Sequence, residues 1–142
     1  MPDPIKKQII DRVLSNLAAL KTNGTFRDIT REWDVLRPSK ALPALMVADG
    51  KETTFSKTST VWTCRFDLHL RIVFAFARDR DALVSEVQKK IEGDMTLNNL
   101  GGIVDAGNED PAVVDAAATV HRTTLRYTVQ YTRKIGDPTV VS

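Results

Sequence analysis

The stretch Thr60–Ala77 reads TVWTCRFDLHLRIVFAFA and decides the fold, because its side chains alternate in character with a period of two. Such alternation predicts a long β-strand with one face in the core and the other in water. Near its end, Val73, Ala75 and Ala77 make the second face apolar too, so a helix of the same chain or a neighbouring subunit has to cover it. The core face holds Trp62, Cys64, Phe66, Leu68, Leu70, Ile72, Phe74 and Phe76, and the wet face holds Thr63, Arg65, Asp67, His69 and Arg71.

The length of this strand is itself informative. Fully extended, it would span about 60 Å. A compact domain of 142 residues is only roughly 37 Å across. The strand therefore bends at a bulge, or its ends project and pair with another chain through their open backbone groups.

The rest of the chain supplies a second long strand and two helices. About Thr119–Lys134 alternates again, with Leu125, Tyr127, Val129 and Tyr131 on its apolar side. Apolar residues at three- and four-residue intervals predict one helix from about Pro4 to Lys21 and a second from about Arg78 to Gly93. These elements predict an α+β fold, with two helices packed on one face of a mainly antiparallel sheet.

Shorter segments complete a single domain over residues 1–142. Strands are expected around Phe26–Trp33 and Ala44–Val47, and residues 48–59 are expected to form an exposed ribbon. The stretch Asn98–Asp110 predicts a short strand followed by an acidic loop, and residues 135–142 form a short tail.

The composition of the chain argues against several classes of function. The chain has 20 Lys and Arg against 18 Asp and Glu, with a formal net charge of +2, which argues against a dedicated nucleic-acid binder. One cysteine and two histidines exclude an intrachain disulfide and a multi-histidine metal centre. No apolar run approaches the roughly 20 residues that cross a bilayer, so no membrane partner is expected.

Known catalytic signatures are missing as well, and the residues that suggest chemistry have simpler interpretations. Cys64 lies on the apolar face between Trp62 and Phe66, where a thiol behaves as a small hydrophobic group. Asp67 and His69 share the wet face, but no nucleophile accompanies them. We therefore expect no enzymatic activity, no catalytic residue, no cofactor and no metal.

Charged residues and one aromatic are the candidate interface. The aromatic is Phe55, alone in the polar ribbon, where it suggests a docking anchor or an ordinary contact with its own core. Four arginines are expected on one sheet face, Arg65, Arg71, Arg122 and Arg126, and an acidic sector comprises Glu92, Asp94, Asp105, Glu109 and Asp110.

Taken in order, these elements resemble the small tail-terminator family (tail-completion, minor tail protein U type) of long-tailed bacteriophages and prophages. The resemblance covers about Pro4 to Lys134. It is carried by the opening helix PIKKQIIDRVLSNLAAL, the proline-led PALMV, the helix followed by DMTLNNLGGIVD, and the closing RYTVQYTR.

This resemblance implies a subunit that assembles with itself into a ring, commonly a hexamer. Such a ring caps the tail tube, stops its polymerisation and offers a surface to the head–tail joining protein, while DNA only passes through. It would act in the host cytoplasm during assembly and then in the virion tail. A neck, head-completion or tail-tube-type ring protein of the same assembly is an alternative, and a small ligand-binding regulatory domain is a third.

In a ring, the arginine face could line the lumen or form the seam between copies. Strong phosphate binding in a lumen would hinder sliding DNA. A seam would pair the arginines with the acidic sector of the adjacent copy and make assembly sensitive to salt. We favour the seam, because the two charge groups are of comparable size.

Overall fold

The computed structural model describes residues 4–31, 42–58, 60–97, 99–109, 113–115 and 120–141. For Phe55 and for residues 105–109, 113–115 and 137–141 it describes the backbone alone. Within these ranges, two α-helices and eight strands form one layer of helices on one sheet. The helices are α1, Ile5–Thr22, and α2, Arg80–Glu92; the strands are β1, Asp28–Thr30, β2, Ala44–Asp49, β3, Thr53–Lys57, β4, Val61–Phe74, β5, Gly102–Glu109, β6, Val113–Asp115, β7, Val120–Lys134, and β8, Asp137–Val141.

The sheet is built around the two long strands. Its order is β1-β2-β4-β7-β5, with β3 following β2 along β4, and with β6 and β8 beside β7. Only the β1–β2 pair is parallel among the described pairs. The α+β prediction with a mainly antiparallel sheet is confirmed.

The main core lies between the helices and the face of the sheet that the alternation predicted to be apolar. Residues of α1, α2, β2, β4 and β7 contribute to one buried cluster. Along β4, the buried positions are Cys64, Phe66, Leu68, Leu70, Ile72, Val73 and Phe74. Both helices therefore pack on one face, as predicted.

Both helices also end where the sequence indicates. Asn23 caps α1, and Gly24 follows with φ +85°, a left-handed conformation that glycine adopts without strain. Gly93 caps α2. Helix α2 starts later than expected, because Ala77–Asp79 form a separate 3₁₀ turn.

Strand β4 is shorter than the alternating stretch and contains no bulge against β7. Its 14 residues pair in unbroken register from Val61↔Lys134 to Phe74↔His121. At about 3.3 Å per residue it spans roughly 46 Å, which still exceeds the diameter expected of the domain. Phe76, assigned to the core face from the alternation, instead lies beyond the strand end and is exposed.

A second apolar cluster occupies the opposite face at the end of β4. It comprises Leu42, Ala44, Met46, Val73 and Val120, with Ala75 packed against it. Neither helix contributes a residue to this cluster. The expectation that a helix covers this face is therefore wrong for α1 and α2, because both pack on the other side of the sheet.

Two smaller predictions also change. The strand expected around Phe26–Trp33 is only Asp28–Thr30 in β1, and Trp33 lies outside the described residues. The acidic loop is the continuation of β5, which reaches Glu109. It stays in the sheet because β7 offers it a long edge, with two register shifts that accommodate the irregular sequence.

Candidate assembly surface

The register between β4 and β7 brings the four predicted arginines to one face of the sheet. Arg65 and Arg71 project from β4, and Arg122 and Arg126 project from β7, on the side away from both helices. This outer face is the polar side of the sheet. Among the described positions of this face on β4 and β7, one residue, Asp67, is acidic.

Cross-strand contacts order the middle of the outer face. Arg65 Nε donates to Gln130 Oε1 at 3.0 Å, directly across the strand pair. Thr128 Oγ1 donates to Asp67 Oδ1 at 3.1 Å. Asp67 thus has a neutral partner, and the cationic side chains outnumber this one carboxylate.

Arg122 differs from the other three arginines. It stands opposite Val73, beside the second apolar cluster. Its Nε is buried and has no hydrogen-bond partner among the described residues. A buried guanidinium nitrogen without an acceptor is costly, so this end of the outer face is less well satisfied than the middle.

The acidic residues do not form one sector. Glu92 is exposed at the end of α2, on the helix side of the sheet. Asp94 follows it and is bound within the chain, where its Oδ2 accepts from Arg12 Nε and Asn16 Nδ2, both at 2.8 Å. Asp94 is therefore already engaged by α1.

The remaining acidic residues belong to the sheet edge. Asp105 and Glu109 lie on β5, where their backbones pair with Thr128 and Leu125 of β7. They are thus placed beside the arginine-bearing strand of their own chain. Asp110 lies outside the described residues. Of the five predicted acidic residues, Glu92 is therefore the one best placed to contact an adjacent copy.

Phe55 occupies a bulge on an edge strand. The register between β3 and β4 shifts between Thr54 and Ser56, so Phe55 is the extra residue of β3. Its side chain lies outside the description, and its role as a docking anchor stays a prediction.

Several described contacts surround the β3–β4 hairpin. Two cations contact the ring of Trp62, with Lys57 Nζ 4.7 Å and the Arg133 guanidinium 4.6 Å from its centre. Glu52 accepts a hydrogen bond from the Tyr131 hydroxyl and lies 3.9 Å from Arg133. These contacts bind the chain that enters β3 to the end of β7.

The residues that suggested chemistry occupy ordinary structural positions. Cys64 is fully buried, as the core interpretation predicts, with its Sγ 3.9 Å from Thr54 Oγ1. His69 lies on the outer face opposite Arg126, and His121 stacks on Phe74 with 5.4 Å between ring centres. Within the described ranges, no three His, Cys, Asp or Glu side chains are grouped to hold a metal ion.

The structure also shows features that sequence reasoning missed. Phe76 is 57% exposed, and Val104 of β5 is 43% exposed. The alternation placed Phe76 in the core because nothing in the local pattern marks the end of β4. Val104 has a neighbour of matching hydrophobicity in Ile103, and only the pairing of β5 with β7 decides which of the two faces inward.

Comparison with known proteins does not identify a family for this chain. No protein-family model and no curated protein sequence matches the chain. Separately, none of the described helices combines the length and apolar character needed to cross a membrane.

Proposed function

We propose that this protein is a structural subunit of the tail-terminator type, which assembles with itself into a ring on the end of a phage or prophage tail tube. The ring stops tube polymerisation and presents a surface to the head–tail joining protein. The subunit acts by shape and surface charge and not by catalysis. A hexamer is the stoichiometry that the resemblance implies.

The observation that carries this proposal is the outer face of β4 and β7. It carries polar and cationic side chains along β4 and β7 as far as the second apolar cluster at Val73, and it is not covered by either described helix. One-sided antiparallel sheets commonly face water. Strands this long, with cationic side chains in register, also provide an extended surface for a second copy.

A ring requires that one surface of a subunit meets a different surface of the next. The outer face and Glu92 at the end of α2 lie on opposite sides of the sheet, which suits such a contact. In this arrangement Arg65 and Arg71 face the helix side of the adjacent copy. The seam hypothesis thereby depends mainly on Glu92, since Asp94 is held by Arg12.

The small-ligand alternative finds less support in the described structure. One described cleft, of about 350 Å³, lies between Arg12 and Asn16 of α1 and Lys89 and Lys90 of α2. It is open, and the Arg12–Asp94 ion pair lies in its wall. Enclosed apolar pockets with a few converging polar groups are what ligand sites require.

The direct test is a tube-capping experiment. A phage tail-tube protein is polymerised with and without the purified chain, and tube lengths are measured by electron microscopy. We expect shorter tubes with a ring at one end. Tubes that keep growing at saturating subunit would overturn the proposal.

The same images separate the proposal from its nearest alternative. A tube-type subunit co-polymerises along the whole tube, whereas a terminator is found at ends only. Labelling the exposed Lys7 side chain on α1 allows the position of the subunit to be read without altering the outer face or the Glu92 end of α2.

A further inference from the structure

Four large apolar side chains are exposed among the described residues, and they are divided between the two ends of the sheet. Phe76 is 57% exposed just beyond the end of β4. Met95, Val104 and Ile135 are 44%, 43% and 42% exposed. Val104 lies on β5, and Met95 is joined to the same strand, because its carbonyl accepts from Ile103 N at 2.9 Å.

Val104 borders a notch in the edge of the sheet. The described pairing of β5 with β7 begins at Gly102↔Gln130, and that of β8 with β7 begins at Arg133. Tyr131 and Thr132 lie between these two points. There the notch has a volume of about 260 Å³ and is lined by Leu100, Val104 and Tyr131 together with polar residues.

Three described residues beside the notch have constrained backbone positions. At Gly101 a Cβ atom would lie 2.6 Å from the Gln130 carbonyl oxygen, so only glycine allows this close approach to β7. Leu97 and Asn99 adopt positive φ angles of 50° and 64°. Such conformations persist only where the surrounding structure holds them, so the notch has a defined shape.

The size of the notch indicates what it accepts. Ligand pockets usually measure roughly 300–1,000 Å³. The notch is smaller and opens at a strand edge, so it is sized for a single side chain of another protein. Its mixed lining, with Leu100 and Val104 beside Gln130 and Thr132, suits an aromatic ring that stays partly hydrated at its rim.

We propose that this notch receives Phe76 of a second copy of the chain. The inference rests on the proposed self-assembly and names one contact within it. Phe76 follows the Phe74 end of β4, whereas the notch lies beside Gln130–Thr132, which pair with the opposite end of that strand. Phe76 therefore cannot fill the notch of its own chain, and the contact is heterologous, as ring formation requires.

Charge supports the same pairing. The Arg78 guanidinium lies 5.0 Å from the centre of the Phe76 ring, and its side chain is 81% exposed. The sequence between Ile91 and His121 contains six acidic residues and neither lysine nor arginine. Within this segment Asp105 directly follows Val104 on β5, so Arg78, which lies 3.9 Å from Asp79 in its own chain, would be brought towards Asp105 when Phe76 enters the notch.

Disulfide trapping tests the contact directly. Phe76→Cys and Val104→Cys are made as separate proteins, and the buried Cys64 is left in place. Under mild oxidation at concentrations where the wild type assembles, a disulfide-linked dimer is expected from the mixture and not from either protein alone. Ile135→Cys, with similar exposure and no place in the notch lining, is the matched control partner for Phe76→Cys.

A second measurement does not depend on oxidation. Phe76→Ser is expected to weaken self-association by about tenfold or more, with an unchanged melting temperature, because the ring is exposed in the free subunit. Val104→Asp should have a similar effect, and the double variant should lose little more than either single one.

The outcomes separate this contact from the proposed function. Equal cross-linking to Val104→Cys and Ile135→Cys, or wild-type assembly of Phe76→Ser, would show that another contact holds the ring, and tube capping would be unaffected. A wild-type chain that remains monomeric and leaves tubes uncapped would overturn both proposals.

Discussion

Arg12 and Asp94 form an ion pair across the two helices, with 2.8 Å between Nε and Oδ2. Asn16 donates to the same carboxylate oxygen. The pair fastens the residue that follows Gly93 to the middle of α1, and it takes one predicted interface residue into the fold. The chain thus uses Asp94 for its own stability.

This relationship predicts opposite behaviour for two neighbouring acidic residues. Asp94→Ala should lower the free energy of unfolding by about 1–2 kcal/mol, because two donors lose a charged acceptor. Glu92→Gln, at an exposed position, should stay within about 0.5 kcal/mol of the wild type. Urea denaturation measures both. A loss of assembly by Glu92→Gln alone would support the seam, and an unaltered stability of Asp94→Ala would contradict the structural role of the ion pair.

Two buried tyrosines on β7 provide a second contrast. The Tyr127 hydroxyl is buried without a partner among the described residues, whereas the Tyr131 hydroxyl donates to Glu52. Tyr127→Phe should leave the free energy of unfolding unchanged or raise it by up to about 1 kcal/mol. Tyr131→Phe should lower it by about 1 kcal/mol. Thermal or urea denaturation at pH 7 measures both variants. A larger loss of stability in Tyr127→Phe than in Tyr131→Phe would contradict the assigned contacts.

The raised pKa of Tyr127 predicts that the free energy of unfolding depends on pH. Burial, with a smaller contribution from the charge of Glu92, raises the pKa of Tyr127 from 10.0 to about 12. Because the folded pKa lies above the unfolded one, the folded state binds this proton more tightly, and the free energy of unfolding is constant below pH 10 with respect to this group and falls as the pH rises towards 12. Tyr127→Phe should therefore lose less stability than the wild type over this interval, as measured by urea midpoints.

At the acid end, Asp49 is the group to test. Burial opposes its ionisation, but the hydrogen bond and charge of Lys6, together with the charge of Arg31, outweigh burial and hold the pKa of Asp49 below its ordinary 3.8. The stabilisation is then present above about pH 4 and is lost as the pH falls through the folded pKa. Asp49→Asn should cost about 1 kcal/mol at pH 7, and the difference from the wild type should shrink below pH 4.

A matched control is available in α1. Asp11 pairs with Lys7 at 3.0 Å, but both side chains are nearly half exposed. Asp11→Asn should therefore change stability by less than about 0.5 kcal/mol at either pH. If the two variants showed the same pH profile, the effect would come from net charge and not from the Lys6–Asp49–Arg31 contacts.

The seam hypothesis predicts that assembly depends on salt. The double variant Arg65→Glu, Arg71→Glu should weaken ring formation at low ionic strength, with a melting temperature within a few degrees of the wild type. Lys7→Glu with Lys21→Glu makes the same change in net charge on α1, away from the Glu92 turn of α2, and should assemble normally. Sedimentation at low and high salt measures both. Unchanged assembly of the arginine variant at both salt concentrations would assign the outer face to the lumen or to solvent.

The sequence by itself determined the long strands, the two helices and the ends of those helices. These features depend on neighbours along the chain: a period of two from Trp62 to Ile72, apolar spacing in α1, and stops at Gly24 and Gly93. Local backbone geometry imposes each of them, so the pattern of the residues is sufficient. The sequence also predicted the shared face of Arg65, Arg71, Arg122 and Arg126, because two alternating strands that pair must align their polar sides.

Only the tertiary structure decided which strand lies beside which, and with it the candidate contacts. The acidic segment around Asp105 forms a strand because it pairs with the free edge of β7. Asp94 is bound by Arg12 of α1, 82 residues away in the chain. The exposure of Phe76 and the notch beside Val104 arise in the same way, from the point where β4 ends and the gap between β5 and β8. Such features depend on residues distant in sequence, whose proximity is set by packing and carries no local periodic signal.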